Sequence, residues 1–177
     1  TPVPGRWDGV PEPERTALHR AQLRPAPPVS VGAELARAGA IAMLDISDGL
    51  LRDVRRIARA SGVSIDLDPQ ALEPAVHTLA HAGEAVGVDP WQWVLTGGED
   101  HGLLAVLPVD SPLPSGVRAI GSCAPLPRED GPRGGGSSAG NGARQRRHER
   151  GTVTIAGRSP RQWFGRDVVE GWDHFEP

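Results

Sequence analysis

The chain has 177 residues, a formal net charge of −3 and a single cysteine, and all nineteen of its basic residues are arginine. That length suits one domain with its own core, and a pI of about 6.0 offers no general attraction to nucleic acid or to an anionic membrane surface. The absence of lysine excludes a Walker-type phosphate loop and Schiff-base chemistry on this chain, while Cys123 alone can form neither an internal disulfide nor a cysteine-built zinc site and points to the reducing cytoplasm.

Residues 1 to 28 are rich in proline and charge, with one helix-like patch from Glu14 to Gln22, and read as a linker arm. Thr1 opens the chain and the only methionine, Met43, lies inside an apolar run, so a natural start upstream of Thr1 is expected. Val31, Leu35, Ala36 and Ala38 predict a short helix over Val31 to Ala40, followed by a buried strand from Ile41 to Ile46. Ser47 and Asp48 are both suited to cap the next helix, whose apolar positions Leu50, Leu51, Val54, Ile57 and Ala58 recur at helical spacing until Ser61-Gly62 stops them. Arg52, Asp53, Arg55, Arg56 and Arg59 are placed on its opposite face.

Val63 to Leu67 alternates apolar and polar, the period of a half-buried strand, and Asp68-Pro69 ends it. A helix is expected from Ala75 to Val86, and Trp91 and Trp93 alternate as in a strand. Thr96-Gly97-Gly98-Glu99-Asp100 then leads into an apolar strand from Leu103 to Leu107, and Val117 to Ile120 reads as another short strand. Residues 125 to 150 hold so few apolar side chains that burial cannot offset their ordering entropy, which predicts a disordered insert. Thr152 to Ile155 returns as a strand, and the chain closes on Gly171-Trp172-Asp173-His174-Phe175. No apolar stretch approaches the roughly 20 residues that span a bilayer.

Two corners carry candidate chemistry. Asp45 and Asp48 stand three apart at a strand end, where oxygen ligands suit a hard cation such as Mg²⁺. Ser47 and the first amides of the following helix offer donors to an anion such as phosphate. The same residues also read as an ordinary N-cap beside a surface carboxylate. In Thr96 to Asp100 the glycine pair lets the backbone come close to a ligand, with Glu99 and Asp100 next in line, and it equally reads as a turn opening a strand. Trp172 and His174 could stack on a flat heterocycle, or Trp172 and Phe175 could close the core. His77 and His81 are four apart on an expected helix but lack a further zinc ligand.

Taken in order, Ala42-Met43-Leu44-Asp45-Ile46-Ser47-Asp48-Gly49-Leu50, Ala60-Ser61-Gly62-Val63, Gly97-Gly98-Glu99-Asp100 and Gly171-Trp172-Asp173-His174-Phe175 resemble thiamine-monophosphate kinases. The resemblance runs from about Arg15 to Phe175, omits the Gly/Arg-rich insert and matches that family's C-terminal domain. It implies an α/β, two-layer fold with a mixed sheet and helices packed on one face, as in the superfamily of aminoimidazole ribonucleotide synthetase. Residues 1 to 28 would link to a missing N-terminal ATP-binding domain, and residues 29 to 177 would form the C-terminal domain.

The resemblance further implies ATP- and Mg²⁺-dependent phosphorylation of thiamine phosphate to thiamine diphosphate, in a homodimer. Asp45 and Asp48 would bind Mg²⁺, Ser47 would contact ATP, and Glu99 and Trp172 would contact thiamine phosphate. Two rival readings are another ATP-using enzyme of the superfamily and a truncated, non-catalytic binding or dimerisation module. His101-Gly102 departs from the Tyr-Glu common at that point of the family, and the terminal tryptophan stands where tyrosine is common.

Overall fold

The computed structural model describes Trp7, residues 9 to 126 and residues 151 to 166. Most of the expected insert, and the closing Gly171 to Phe175 motif with Trp172 and His174, lie outside the described residues. Two helices come first, α1 (Glu12–Leu23) and α2 (Val29–Arg37). The first confirms the helix-like patch in the proline-rich arm; Glu14 meets His81 at 2.8 Å, and Val10 just before the helix is buried.

Strand β1 (Ala42–Ile46) is followed by α3 (Leu50–Ser61), β2 (Val63–Leu67), α4 (Pro69–Thr78) and α5 (Ala80–Val86). After these come α6 (Pro90–Thr96), β3 (Gly102–Val106), β4 (Gly121–Pro125), β5 (Thr152–Ile155) and α7 (Pro160–Phe164). The class is α/β, as expected, and the mixed pairing is present. The strands divide over two sheets, however: a two-stranded β1-β3 ribbon and a three-stranded sheet in the order β4-β2-β5. Within the latter, β2 pairs antiparallel with β4 and parallel with β5.

Helix α3 joins the two sheets, packing on β1, β2, β5 and α6. Its apolar stripe supplies Leu50, Leu51, Val54, Ile57 and Ala58 to a core completed by Ile65, Leu67, Leu72, Leu95, Leu104, Val153 and Ile155. The helix ends where Gly62 takes a left-handed conformation at φ 63°, a position that favours a residue without a Cβ.

Three expected elements differ. The stretch from Trp91 to Leu95 is helical: Asp89 caps it by accepting from the Trp91 amide at 3.0 Å, and Pro90 sits at the first turn with its φ already suited to a helix. The helix expected from Ala75 to Val86 is two helices, α4 starting early on the Asp68 cap and breaking from α5 at Leu79. His77 and His81 therefore belong to different helices. The short strand expected at Val117 to Ile120 forms one step later, as β4, where Gly121 lets the backbone close onto Asp66. Among the described residues no helix is long and apolar enough to cross a membrane.

Candidate active site

Antiparallel pairing sets Ile46, the last residue of β1, against Gly102, the first of β3. The turn that leaves β1 and the corner that enters β3 are thereby forced to the same end of the ribbon. Contact between them is direct. The Glu99 amide donates to the Ser47 carbonyl at 2.9 Å, and the His101 amide donates to the Ile46 carbonyl at 3.1 Å.

Glycine makes this approach possible. Gly49 has φ 117°, a region open to little else, and a Cβ there would lie 2.6 Å from the Thr96 carbonyl oxygen. Gly98 packs on the other side of the seam, where a Cβ would overlap the Ser47 carbonyl oxygen. Glu99 and His101 hold left-handed backbone at φ 70° and 51°. Such conformations are uncommon away from glycine and concentrate where surrounding contacts enforce a functional geometry.

The turn itself is organised by a residue that sequence reading placed on the wrong face. Asp53 is fully buried. Its Oδ2 accepts from the Ser47 amide at 3.0 Å and the Asp48 amide at 3.1 Å, and its Oδ1 accepts from Nη1 of Arg56 at 2.6 Å. Neither Ser47 nor Asp48 caps α3; Gly49 occupies the cap position without a side-chain bond. The amides of Ser47 and Asp48 point inward to Asp53, so neither is open to an anion at this turn.

The two aspartates of the turn differ sharply. The Asp45 side chain is half exposed, with Oδ2 3.2 Å from Nδ1 of His101. Asp48 is largely covered; its Oδ2 accepts from Nη2 of Arg56 and lies 3.9 Å from Nε of Arg52. The Arg56 hydrogen bond, with help from Ser47 and Arg52 and against the penalty of burial, holds the Asp48 carboxyl below the usual range.

These residues suit Mg²⁺ in one particular sense. Mg²⁺ keeps several waters and is commonly held by one or two carboxylates together with substrate phosphates. Asp45 offers an accessible carboxylate, whereas Asp48 offers one already shared with a guanidinium. Among the described residues no three His, Cys, Asp or Glu side chains gather into a cage. The donor set thus fits a cation that arrives with phosphate. Of the expected site residues, Asp45, Ser47, Asp48 and Glu99 come together at one end of the ribbon, and Trp172 lies outside the described residues. Asp53 and Arg56 were missed. The signal was available: Asp53 is three residues after Leu50 and four before Ile57, which puts it on the apolar stripe.

The mixed α/β arrangement of strands and helices matches the aminoimidazole ribonucleotide synthetase-like fold. Comparison with known proteins narrows this. A thiamine-monophosphate kinase of Mycobacterium tuberculosis is 53% identical over 104 residues, covering 59% of this chain and 31% of that protein. One of Corynebacterium glutamicum is 41% identical over 123 residues, covering 70% of this chain and 36% of that protein. Among solved structures, AaThiL complexed with AMPPCP and TMP aligns with a TM-score of 0.63 at 25% identity, covering 93% of this chain and 43% of the other. No family model matches the chain. Over the matched residues the chain is similar to thiamine-monophosphate kinases, and it spans about a third of the length of the curated relatives it matches.

Proposed function

We propose that this chain forms the C-terminal part of a thiamine-phosphate kinase that transfers the γ-phosphoryl group of ATP to a phosphate oxygen of thiamine phosphate, giving thiamine diphosphate. Residues 1 to 28 link it to an N-terminal ATP-binding domain, residues 29 to 177 are the C-terminal domain, and the protein works as a cytoplasmic homodimer. The observation that carries the reading is the seam itself, the Glu99 amide on the Ser47 carbonyl. It unites the two acidic corners in a chain whose relatives are named for this kinase. A structural neighbour complexed with AMPPCP and TMP supports ATP and thiamine phosphate as the substrates.

Phosphoryl transfer needs little covalent help from protein; positioning and electrostatics supply most of the acceleration. Mg²⁺, when bound, neutralises the crowded phosphate oxygens. Asp45 would hold the metal through its exposed carboxylate, and Asp48 would add negative charge already steadied by Arg56. Ser47 would place its hydroxyl on the nucleotide phosphates. Glu99, exposed at the tip of the corner, would face a polar or cationic part of thiamine phosphate, with the Trp172 ring stacking on the same ligand.

In the whole protein, Asp45→Ala should lower conversion of thiamine phosphate to the diphosphate by about 100-fold or more, the scale of losing a group aimed at developing charge. Its circular dichroism should stay native, because Asp45 is exposed. Normal turnover by that variant would remove Asp45 from the metal site.

A further inference from the structure

The buried carboxylate of Asp53 has no role in the kinase reading given above, yet it is bonded to the backbone of both Ser47 and Asp48 and to the arginine that holds Asp48. One oxygen takes the amides of Ser47 and Asp48, fixing the backbone of both. The other takes Nη1 of Arg56, whose Nη2 in turn reaches the Asp48 carboxylate. A fully buried carboxylate is costly unless its oxygens are satisfied, and here the bonds that satisfy it are also the bonds that shape the turn. Arg56 is half exposed and is gripped by two acids, so its guanidinium has little freedom of its own.

We propose that Asp53 is a positioning residue: through the turn amides and through Arg56 it sets the backbone of the turn and where Asp48 presents its oxygens to phosphate-bound metal, without touching substrate itself. The inference rests on the kinase reading given above. Groups that orient metal-binding side chains from behind typically change metal affinity or activity by about 10- to 100-fold when altered. Asp53→Asn keeps the shape of the side chain and replaces an accepting oxygen with an amide donor. That group cannot serve both the turn amides and Arg56.

The test measures kcat, KM for thiamine phosphate and the Mg²⁺ concentration for half-maximal activity in the whole protein, alongside Mn²⁺ binding followed by electron paramagnetic resonance. For Asp53→Asn, folded by circular dichroism, we expect kcat to fall and half-saturation by both cations to rise by about 10-fold or more. KM for thiamine phosphate should stay within about twofold. Arg56→Gln, at a half-exposed position and retaining an N–H donor that can still reach Asp53, should reproduce part of the metal defect, and it keeps the test decisive if Asp53→Asn does not fold. Metal half-saturation unchanged in a folded Asp53→Asn, or unchanged in Arg56→Gln when Asp53→Asn is unfolded, overturns the positioning role. An unaltered protein that makes no thiamine diphosphate under any metal condition overturns the kinase reading instead.

Discussion

Gly98 and Asp48 show how single residues define this site. Because a Cβ at Gly98 would overlap the Ser47 carbonyl oxygen, Gly98→Ala can be accommodated only by opening the seam between the two corners. Forced overpacking of this kind costs about 1–3 kcal/mol, so urea unfolding should show a loss of that size and thiamine phosphate turnover should drop with it. Native stability together with native turnover would mean that the close approach is not needed. Asp48 makes a different prediction. Its folded carboxyl lies below the ordinary value of 3.8, chiefly through Arg56, so it stabilises the fold above that value and loses the contribution as pH falls through the lowered one. The stability gap between wild type and Asp48→Asn should therefore be flat at neutral pH and close only below pH 3.8. A gap that persists into stronger acid would show that the Arg56 pairing adds nothing. Asp53 is the residue most easily misread, because a charged side chain on an arginine-rich helix looks solvated. Only its spacing from Leu50 and Ile57 gives it away.

Among the elements, α3 was the most legible, since five apolar positions at helical spacing and a Ser-Gly stop leave little alternative. Its burial makes it the hinge of the fold's stability. Leu51 is 1% exposed and lies where the helix meets the core. Leu51→Ala should cost about 2–5 kcal/mol, the range for emptying a well-packed leucine site, and calorimetry should register a matching fall in Tm; a loss under about 1 kcal/mol would contradict this packing. β1 was legible as a strand but not as the buried one its apolar run suggests, since Ile41 is 74% and Met43 40% exposed, whereas β2 was legible from its alternation. α6 was not, because two tryptophans at alternate positions imitate a strand, and the Asp89-Pro90 start that favours a helix is a quieter signal. β4 was misplaced for a tertiary reason. Its sequence has no β-branched run, and it is a strand because β2 offers an edge and Gly121 can approach it.

At the scale of the whole molecule, the two corners are about fifty positions apart in sequence and no spacing rule brings them together. The candidate acids could be named from local pattern, but their meeting depends on the antiparallel register of β1 on β3, which puts the end of one strand beside the start of the other. That register brings two weak signals together as one candidate site. It also gives the site its character: a half-exposed Asp45, an Asp48 held by arginine, and Glu99 on a left-handed corner. A double-mutant cycle between the corners tests this most directly, with Asp45→Asn and Glu99→Gln made singly and together and kcat/KM measured for thiamine phosphate with ATP and Mg²⁺. One shared pocket requires that each single change costs about 10-fold or more and that the double departs from additivity by about 0.5–3 kcal/mol. Losses that add to within about 0.5 kcal/mol, or a Glu99→Gln protein with normal turnover, would separate the corners and contradict a common pocket.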